Sequence, residues 1–575
     1  MIDHLHAATQ ELLAEGSPFA TTETEVRGIP MRVFAAAPPD MRMIWELTAV
    51  HADRTYLVFE DERFTYAEVH AQVRSLAHVL RNDHGVGPGN RVAIAMRNYP
   101  EWVVGYWATT ALGAATVGMN AWWTGPEMEY GLTDSRPKVL IADDERVERV
   151  LPHLDAVRAD GPIHLLSVRS DRDLPDDASR WADVVDAANA PAELPEATIH
   201  PDDDVCIFYT SGTTGFPKGA QLTHRGSVHN LMHLAFFQMA VASAGAKAAA
   251  AAGVEPPAPP DPAAQTTIMA PTPLFHVTAN NCLLHPATAT GGKLVLTYRW
   301  DAARALELIE REQVNNFSGV PTMSRELLQH PDWERRDTSS LQGMGGGGAP
   351  LQPDLVGKID EALPQGAPST GYGLTETHGI ATANASIFFT AKPESAGPLV
   401  PTLDAKLVDE SGEELPPGST GELCVRGPVV IKGYLNRPEA TAEAIRDGWF
   451  NTGDIARIDE DGFVYIVDRA KDMVLRGGEN VYCAEVESAI YTHDAVAEAA
   501  VFGVPDERLG EDVAVAIVLR PGTSLDEAAL HAHLEPQIAK HKIPGRVWFL
   551  DQNLPRNANG KFLKRELRDV LIGAD

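Results

Sequence analysis

Cysteine is scarce in this 575-residue chain: there are four, Cys206, Cys282, Cys424 and Cys483. They lie far apart, form no CxxC pair and have no metal-ligand spacing. That excludes a disulfide scaffold and a zinc ribbon, and it fits a reducing compartment. Basic residues are also in deficit, with 48 Lys+Arg against 80 Asp+Glu and a formal net charge of −32. Such a surface repels polyanions, so nucleic acid is not an expected partner. Small anionic substrates then require local basic residues. No GxSxG and no HExxH occurs, which leaves serine-hydrolase and zincin chemistry without a foothold. Met1 to Gly16 lacks the basic-then-apolar order of a secretory leader, and a cytoplasmic location is expected.

The remaining composition, 44% hydrophobic and 22% charged, is that of an ordinary soluble globular protein with length for several domains. Trp102 to Pro126 carries no charged side chain and is long enough to span a bilayer. It is rich in Ala, Gly and Thr and is punctuated by Gly113. It therefore reads as a helix (Glu101 to Leu112) and a strand (Ala114 to Met119), both buried, and no transmembrane segment is expected.

Helical and strand patterns alternate. Val69, Val73, Leu76 and Leu80 follow helical spacing, and Gly85 can close that helix. The short apolar runs RVAIAM, KVLIA, IHLLSV, VCIFY, TTIMA and KLVLT read as strands (Arg91 to Thr297) of largely parallel sheets. Residues 242–265 form a low-complexity insertion, AAAAAG then EPPAPPDPAA, without hydrophobic periodicity; a surface insertion, mobile or partly helical, is expected. After about Lys406 the texture changes, and DGFVYIVDR reads as an antiparallel strand. From Lys471 a compact mixed unit follows. The predicted fold class is α/β: a large N-terminal multi-sheet α/β domain over residues 1–468 and a small mobile α+β C-terminal domain over 469–575, with a hinge near 471.

Four segments carry chemistry. Tyr209-Thr-Ser-Gly-Thr-Thr-Gly-Phe-Pro-Lys-Gly219 follows an apolar strand. Its glycines allow close backbone approach, its hydroxyls can donate and Lys218 brings a positive charge, which together suit a polyphosphate. The spacing is not that of a Walker A loop. In Gly371-Tyr-Gly-Leu-Thr-Glu-Thr377, Tyr372 can stack on a purine and Glu376 offers a hard oxygen to Mg²⁺. Asp454 in GWFNTGDIA can accept ribose hydroxyls. Lys561 follows a Gly in Pro555-Arg-Asn-Ala-Asn-Gly-Lys561 and is displayed on a loop. Each of the last three alone also reads as an ordinary turn or surface residue. The glycine run Gly343-Met-Gly-Gly-Gly-Gly348 satisfies GxGxxG, but a dinucleotide reading lacks a convincing apolar strand before it.

In this order the four segments resemble the AMP-forming adenylate superfamily: acyl-CoA synthetases, luciferases and peptide-synthetase adenylation domains. The resemblance runs from about Trp45 to Leu567. GELCVRG (Gly421 to Gly427), Lys432-Gly-Tyr434, Pro438-Glu-Ala-Thr441, DRAKD (Asp468 to Asp472) and GGENV (Gly477 to Val481) extend it. It implies Thr210 and Glu376 as Mg²⁺ ligands. Ser211, Gly212, Thr213, Thr214 and Lys218 would form the triphosphate loop, and Tyr372 the adenine platform. Gly348, Ala349, Pro350, Thr370, Gly373 and Thr375 would border the nucleotide and acyl-phosphate. Asp454 and Arg469 would hold the ribose. Lys471 would be the hinge residue, Lys561 the adenylation lysine, and Gly477 and Gly478 would line the CoA route. His276 and His378 are candidates for the acyl pocket. So is Asn280, which stands four residues after His276 where long-chain enzymes often carry an aromatic gate. Cys483 and Arg476 depart from the residues usual beside the CoA route.

The resemblance implies a carboxylate–CoA ligase that uses ATP, Mg²⁺ and CoA. Fatty or aliphatic acids come first, and aryl, terpenoid or steroid acids second. A homodimer is compatible with it. The alternatives are adenylation for transfer to a carrier protein, luciferase-type oxygenation and a degenerate nucleotide-binding scaffold. The presence of Lys218, Glu376, Asp454 and Lys561 counts against the last.

Overall fold

A computed structural model describes residues 1–573 except 160, 211–216, 256–263, 470–471, 477–478, 507 and 557–561. The long-range framework is two sheets whose neighbouring strands are mostly parallel. In the first, the order is Lys218–Thr223, Asp204–Thr210, Ala115–Gly118, Arg91–Ala95, Val139–Asp143, His164–Val168 and Ser179–Arg180. Only the Lys218–Thr223 edge is antiparallel. The second has eight strands with antiparallel hairpins at both edges; Gly343–Gly347 and Ala367–Tyr372 are adjacent and parallel within it. A third sheet is antiparallel and contains Trp449–Ile458 and Phe463–Arg469.

The uncharged stretch is buried as expected: a helix Pro100–Ala111 and a strand Ala115–Gly118, with no exposed residue in either. Trp102, Trp107 and Tyr106 from this helix are wholly buried with Trp45, Tyr56 and Tyr66. The rings of Trp45 and Trp107 stack 5.2 Å apart, and the Trp107 indole N–H donates to the Tyr56 hydroxyl at 3.1 Å. Trp107, Tyr56, Tyr66 and Tyr106 find hydrogen-bond partners inside this cluster, whereas the Trp45 and Trp102 indole nitrogens are, among the described residues, held by packing alone. The helix with Val69, Val73, Leu76 and Leu80 spans Tyr66–Asn82 and opens on a Thr65–Glu68 capping box.

Part of the low-complexity segment is helical, because residues 242–251 continue the helix His224–Ala251. That helix is the one described element long and apolar enough to cross a bilayer. Its first turns are instead packed inside the protein, where His224, His229 and His233 are buried. Residues 256–263 of the insertion lie outside the described residues.

The chain is thus mixed α/β, with a large multi-sheet N-terminal part and a smaller C-terminal domain. The latter builds a five-stranded sheet from Val474–Arg476, Glu479–Val481, Val496–Asp506, Gly510–Leu519 and Arg546–Leu550. The helices Cys483–Tyr491 and Glu527–Leu534 contribute to its core through Val486, Ile490, Leu530 and Leu534.

Candidate active site

Strand pairing creates the site. Thr210 and Lys218 are register partners in an antiparallel pair, so they close the base of the loop between them. The Tyr130 hydroxyl holds the Pro217 carbonyl at 2.8 Å, and Tyr209 anchors to Asp134 at 2.8 Å. Ser211, Gly212, Thr213 and Thr214 of this loop lie outside the described residues.

Glu376 sits in a short helical turn, Thr375–Thr377, just after the strand Ala367–Tyr372. Its side chain reaches the loop base: Oε1 accepts the Tyr434 hydroxyl at 2.9 Å and faces the Thr210 hydroxyl at 3.4 Å. Lys218 Nζ lies 5.3 Å from the Tyr434 ring centroid. Glu376 is buried yet its described hydrogen-bond partners are neutral hydroxyls, so its negative charge is left for a cationic ligand. In the sequence Tyr434 stands out only as the end of Lys432-Gly-Tyr434. Its role follows from the bridge between Ala220 and Tyr434, a pairing that local periodicity cannot show.

A second acid group lies across Tyr372. The Tyr372 hydroxyl donates to Asp454 Oδ2 at 2.7 Å, and Arg469 Nε pairs with Asp454 Oδ1 at 2.7 Å. Asp454 and Arg469 are opposed in register on neighbouring strands. Gly453, at φ +70°, is a left-handed residue inside the strand Trp449–Ile458, and Asp454 beside it is buried. Thr370 donates to the Gly346 carbonyl at 3.1 Å, which ties the GYGLTET strand to the glycine strand. Glycine is needed there sterically: a Cβ on Gly345 would collide with the Ser369 carbonyl, and one on Gly373 with that of Gly379. Gly348, Ala349 and Pro350 follow this strand directly, Gly348 at φ +80°. The GxGxxG match is therefore a strand crossing between close neighbours rather than a strand-to-helix phosphate turn.

His276 stands at the position before the helical turn Val277–Ala279, and a π-helical turn Asn280–Leu284 follows. The Asn281 side chain donates to the His378 carbonyl at 2.8 Å, so this segment and the Glu376 turn share one wall. Thr278 approaches the position of a Cβ on Gly347 at 4.0 Å. Asn280 is fully buried; its amide donates to Asn281 at 2.8 Å and lies 3.3 Å from His285, which bonds the Tyr106 hydroxyl at 2.7 Å. His378 is differently placed from a pocket-facing ring. Its Nε2 accepts the Thr223 amide at 2.7 Å and its Nδ1 donates to the Val429 carbonyl at 2.6 Å. Burial pushes its pKa down to about 3, so it stays neutral with both nitrogens committed to backbone.

Lys471, Gly477, Gly478 and Lys561 lie outside the described residues. The structure brings Thr210, Lys218, Glu376 and Tyr434 together at one corner, and Tyr372, Asp454 and Arg469 at the next.

These corners are those of an adenylate-forming enzyme. The AMP-binding enzyme family model matches residues 44–435, and the model of its C-terminal domain matches residues 485–561. The chain belongs to the AMP-binding enzyme family. It is 38% identical over 509 residues to a feruloyl-CoA synthase of Amycolatopsis sp, covering 88% of this chain and 93% of the relative. It is 31% identical over 536 residues to a long-chain-fatty-acid–CoA ligase of Bacillus subtilis, covering 90% and 91%. Its fold matches the crystal structure of ATP-bound MatB from Rhodopseudomonas palustris with a TM-score of 0.78, at 30% identity and covering 92% and 98%.

Proposed function

We propose that the protein is a carboxylate–CoA ligase that works through an acyl-adenylate. A carboxylate oxygen of the acid attacks the α-phosphorus of ATP, and pyrophosphate leaves. The CoA thiol then attacks the acyl carbon, its proton passes to solvent, and AMP leaves. The acid is already ionised near neutral pH, so the first step needs no general base, only positioning and charge stabilisation. The observation that carries this reading is the Glu376 carboxylate, with no ion-pair partner among the described residues, facing Thr210 at the base of the triphosphate loop near the Tyr372–Asp454–Arg469 group.

Thr210 and Glu376 fit Mg²⁺ that arrives on ATP: both are hard oxygens, and no cluster of three or more His, Cys, Asp or Glu that could hold an ion by itself occurs among the described residues. Bound there, the ion supplies positive charge to the phosphates. Lys218 adds a cation beside the loop base. Asp454 accepts ribose hydroxyls once Arg469 and Tyr372 orient it, and Tyr372 offers its face to the adenine. Lys561 supplies the ammonium for adenylation, Gly477 and Gly478 flank the CoA route, and rotation near Lys471, between domains 1–468 and 469–575, exchanges the two chemistries. His276 and Asn280 border the acyl side, while His378 is frame rather than pocket.

Aliphatic acids remain the first reading. A second, aryl acids, is favoured by the buried polar group of Asn280, His285 and Tyr106, and by the feruloyl-CoA synthase relative. A cytoplasmic location agrees with four free cysteines, and sizing in solution tests the homodimer. The deciding experiment is a carboxylic-acid panel, fatty and hydroxycinnamic, scored by CoA-dependent AMP release. ADP and phosphate as stoichiometric products would overturn the reading. Acyl transfer to a carrier thiol but not to CoA would replace the acceptor.

A further inference from the structure

The two flanks of residues 557–561 are fastened to each other and then to the C-terminal sheet. Arg556 and Phe562 form an antiparallel bridge, the Leu563 amide donates to the Pro555 carbonyl at 2.9 Å, and the Arg556 guanidinium lies 4.2 Å from the Phe562 ring centroid. On the entering side, Glu498 receives Arg556 at 2.8 Å through one oxygen and the Leu554 amide at 2.7 Å through the other. On the leaving side, Glu487 Oε1 receives Lys564 at 2.7 Å and the Val501 amide at 2.8 Å.

All four side chains of these ion pairs are half-buried, from 15% to 21% exposed. Such ion pairs are weak stabilisers, because desolvation offsets most of the Coulomb gain; what they specify is geometry. Glu487 stands on the helix Cys483–Tyr491 and Glu498 on the strand Val496–Asp506, so the two anchors are set by different elements. Lys564 also interacts electrostatically with Asp468, whose carboxylate accepts the Cys483 amide at the head of that helix. The charge of the anchor is therefore felt at the end of the strand that leads toward the domain boundary.

We propose that Glu487 and Glu498 are positioning residues for the adenylation half-reaction: by holding Lys564 and Arg556 they fix both flanks of the segment that carries Lys561. The proposal rests on the assignment of Lys561 as the adenylation lysine. It predicts selective damage. A displacement of about 1 Å in a positioned group can cost on the order of 10²-fold in rate. The experiment measures both half-reactions on Glu487→Gln, Glu498→Gln, Lys564→Met and Lys564→Arg, with melting midpoints taken in parallel. Adenylation, read as acid-dependent pyrophosphate release, should fall 10- to 100-fold in kcat for the two Gln variants and Lys564→Met. KM for ATP should change far less, and Lys564→Arg should recover most of the rate. Conversion of supplied acyl-adenylate and CoA to thioester should stay near wild type. Equal loss in both half-reactions, or wild-type adenylation in both Gln variants, overturns the proposal. If Lys561→Ala loses adenylation while the Gln variants keep it, the lysine assignment stands and the positioning role is wrong. If Lys561→Ala adenylates normally, both fall.

Discussion

Two sets of carboxylates, Glu376 buried and Glu487 and Glu498 half-buried, behave oppositely in this molecule. Glu376, in the large domain, is held by the hydroxyls of Tyr434 and Thr210. Glu487 and Glu498, in the small domain, are each closed by a cation and a backbone amide. Neutral donors orient a carboxylate while leaving its charge uncompensated; a cationic partner quenches that charge and fixes a shape. Asp454 lies between these cases, with one oxygen on the Tyr372 phenol and the other on Arg469. The partner, more than the burial, separates an acid that waits for a ligand from one that holds the fold.

The strongest break of this contrast is Lys561→Ala. Removing one donor of charge stabilisation should cost on the order of 10²–10³ in adenylation, with thioester formation from supplied acyl-adenylate near wild type. Stopped-flow pyrophosphate release and thioester chromatography measure the pair, and equal losses would make Lys561 structural. Next in size is Asn280→Trp. An indole in place of a buried amide should change acid preference or acid KM by about tenfold, with ATP affinity nearly unchanged. An identical acid profile across the panel removes Asn280 from the pocket.

The smallest expected effect concerns Asp468. Burial pushes its carboxyl up to about 6, with Lys564 opposing and Glu487 reinforcing the shift. Because the folded value lies above the usual carboxylate value, the folded state keeps the proton to higher pH. The stabilising contribution is full at low pH and is lost as pH rises through about 6. The melting midpoint should therefore carry a component that declines between about pH 4 and pH 6 and is flat above about pH 7. Asp468→Asn should remove that component while retaining an acceptor for the Cys483 amide. An unchanged pH slope would place the titration elsewhere.

Much of this was legible in the sequence because it is local. The parallel strands appear as short β-branched runs, and the buried segment at Trp102 is uncharged because both of its elements lie in the core. Thr210, Glu376 and Asp454 could be picked out because glycine turns frame them. Their partners could not. Tyr434 lies 58 residues from Glu376, and Tyr372 lies 82 from Asp454. Such contacts are set by sheet topology rather than by spacing. His378 shows the reverse limit: a histidine beside a motif looks chemical, yet two backbone bonds commit it to the frame. The alanine-rich end of the helix His224–Ala251 lacks amphipathic periodicity, so a partly helical insertion was legible but its continuity with the helix before it was not; alanine is the strongest helix former.

The contrast between open and quenched carboxylates is tested most directly by Mg²⁺ activation curves for adenylation, measured side by side on wild type, Glu376→Gln and Glu487→Gln. If Glu376 keeps its charge for the metal on ATP, Glu376→Gln needs a higher Mg²⁺ concentration for half-activation, whereas Glu487→Gln lowers the plateau and leaves the midpoint in place. A wild-type midpoint in Glu376→Gln, or a shifted midpoint in Glu487→Gln, would contradict the account.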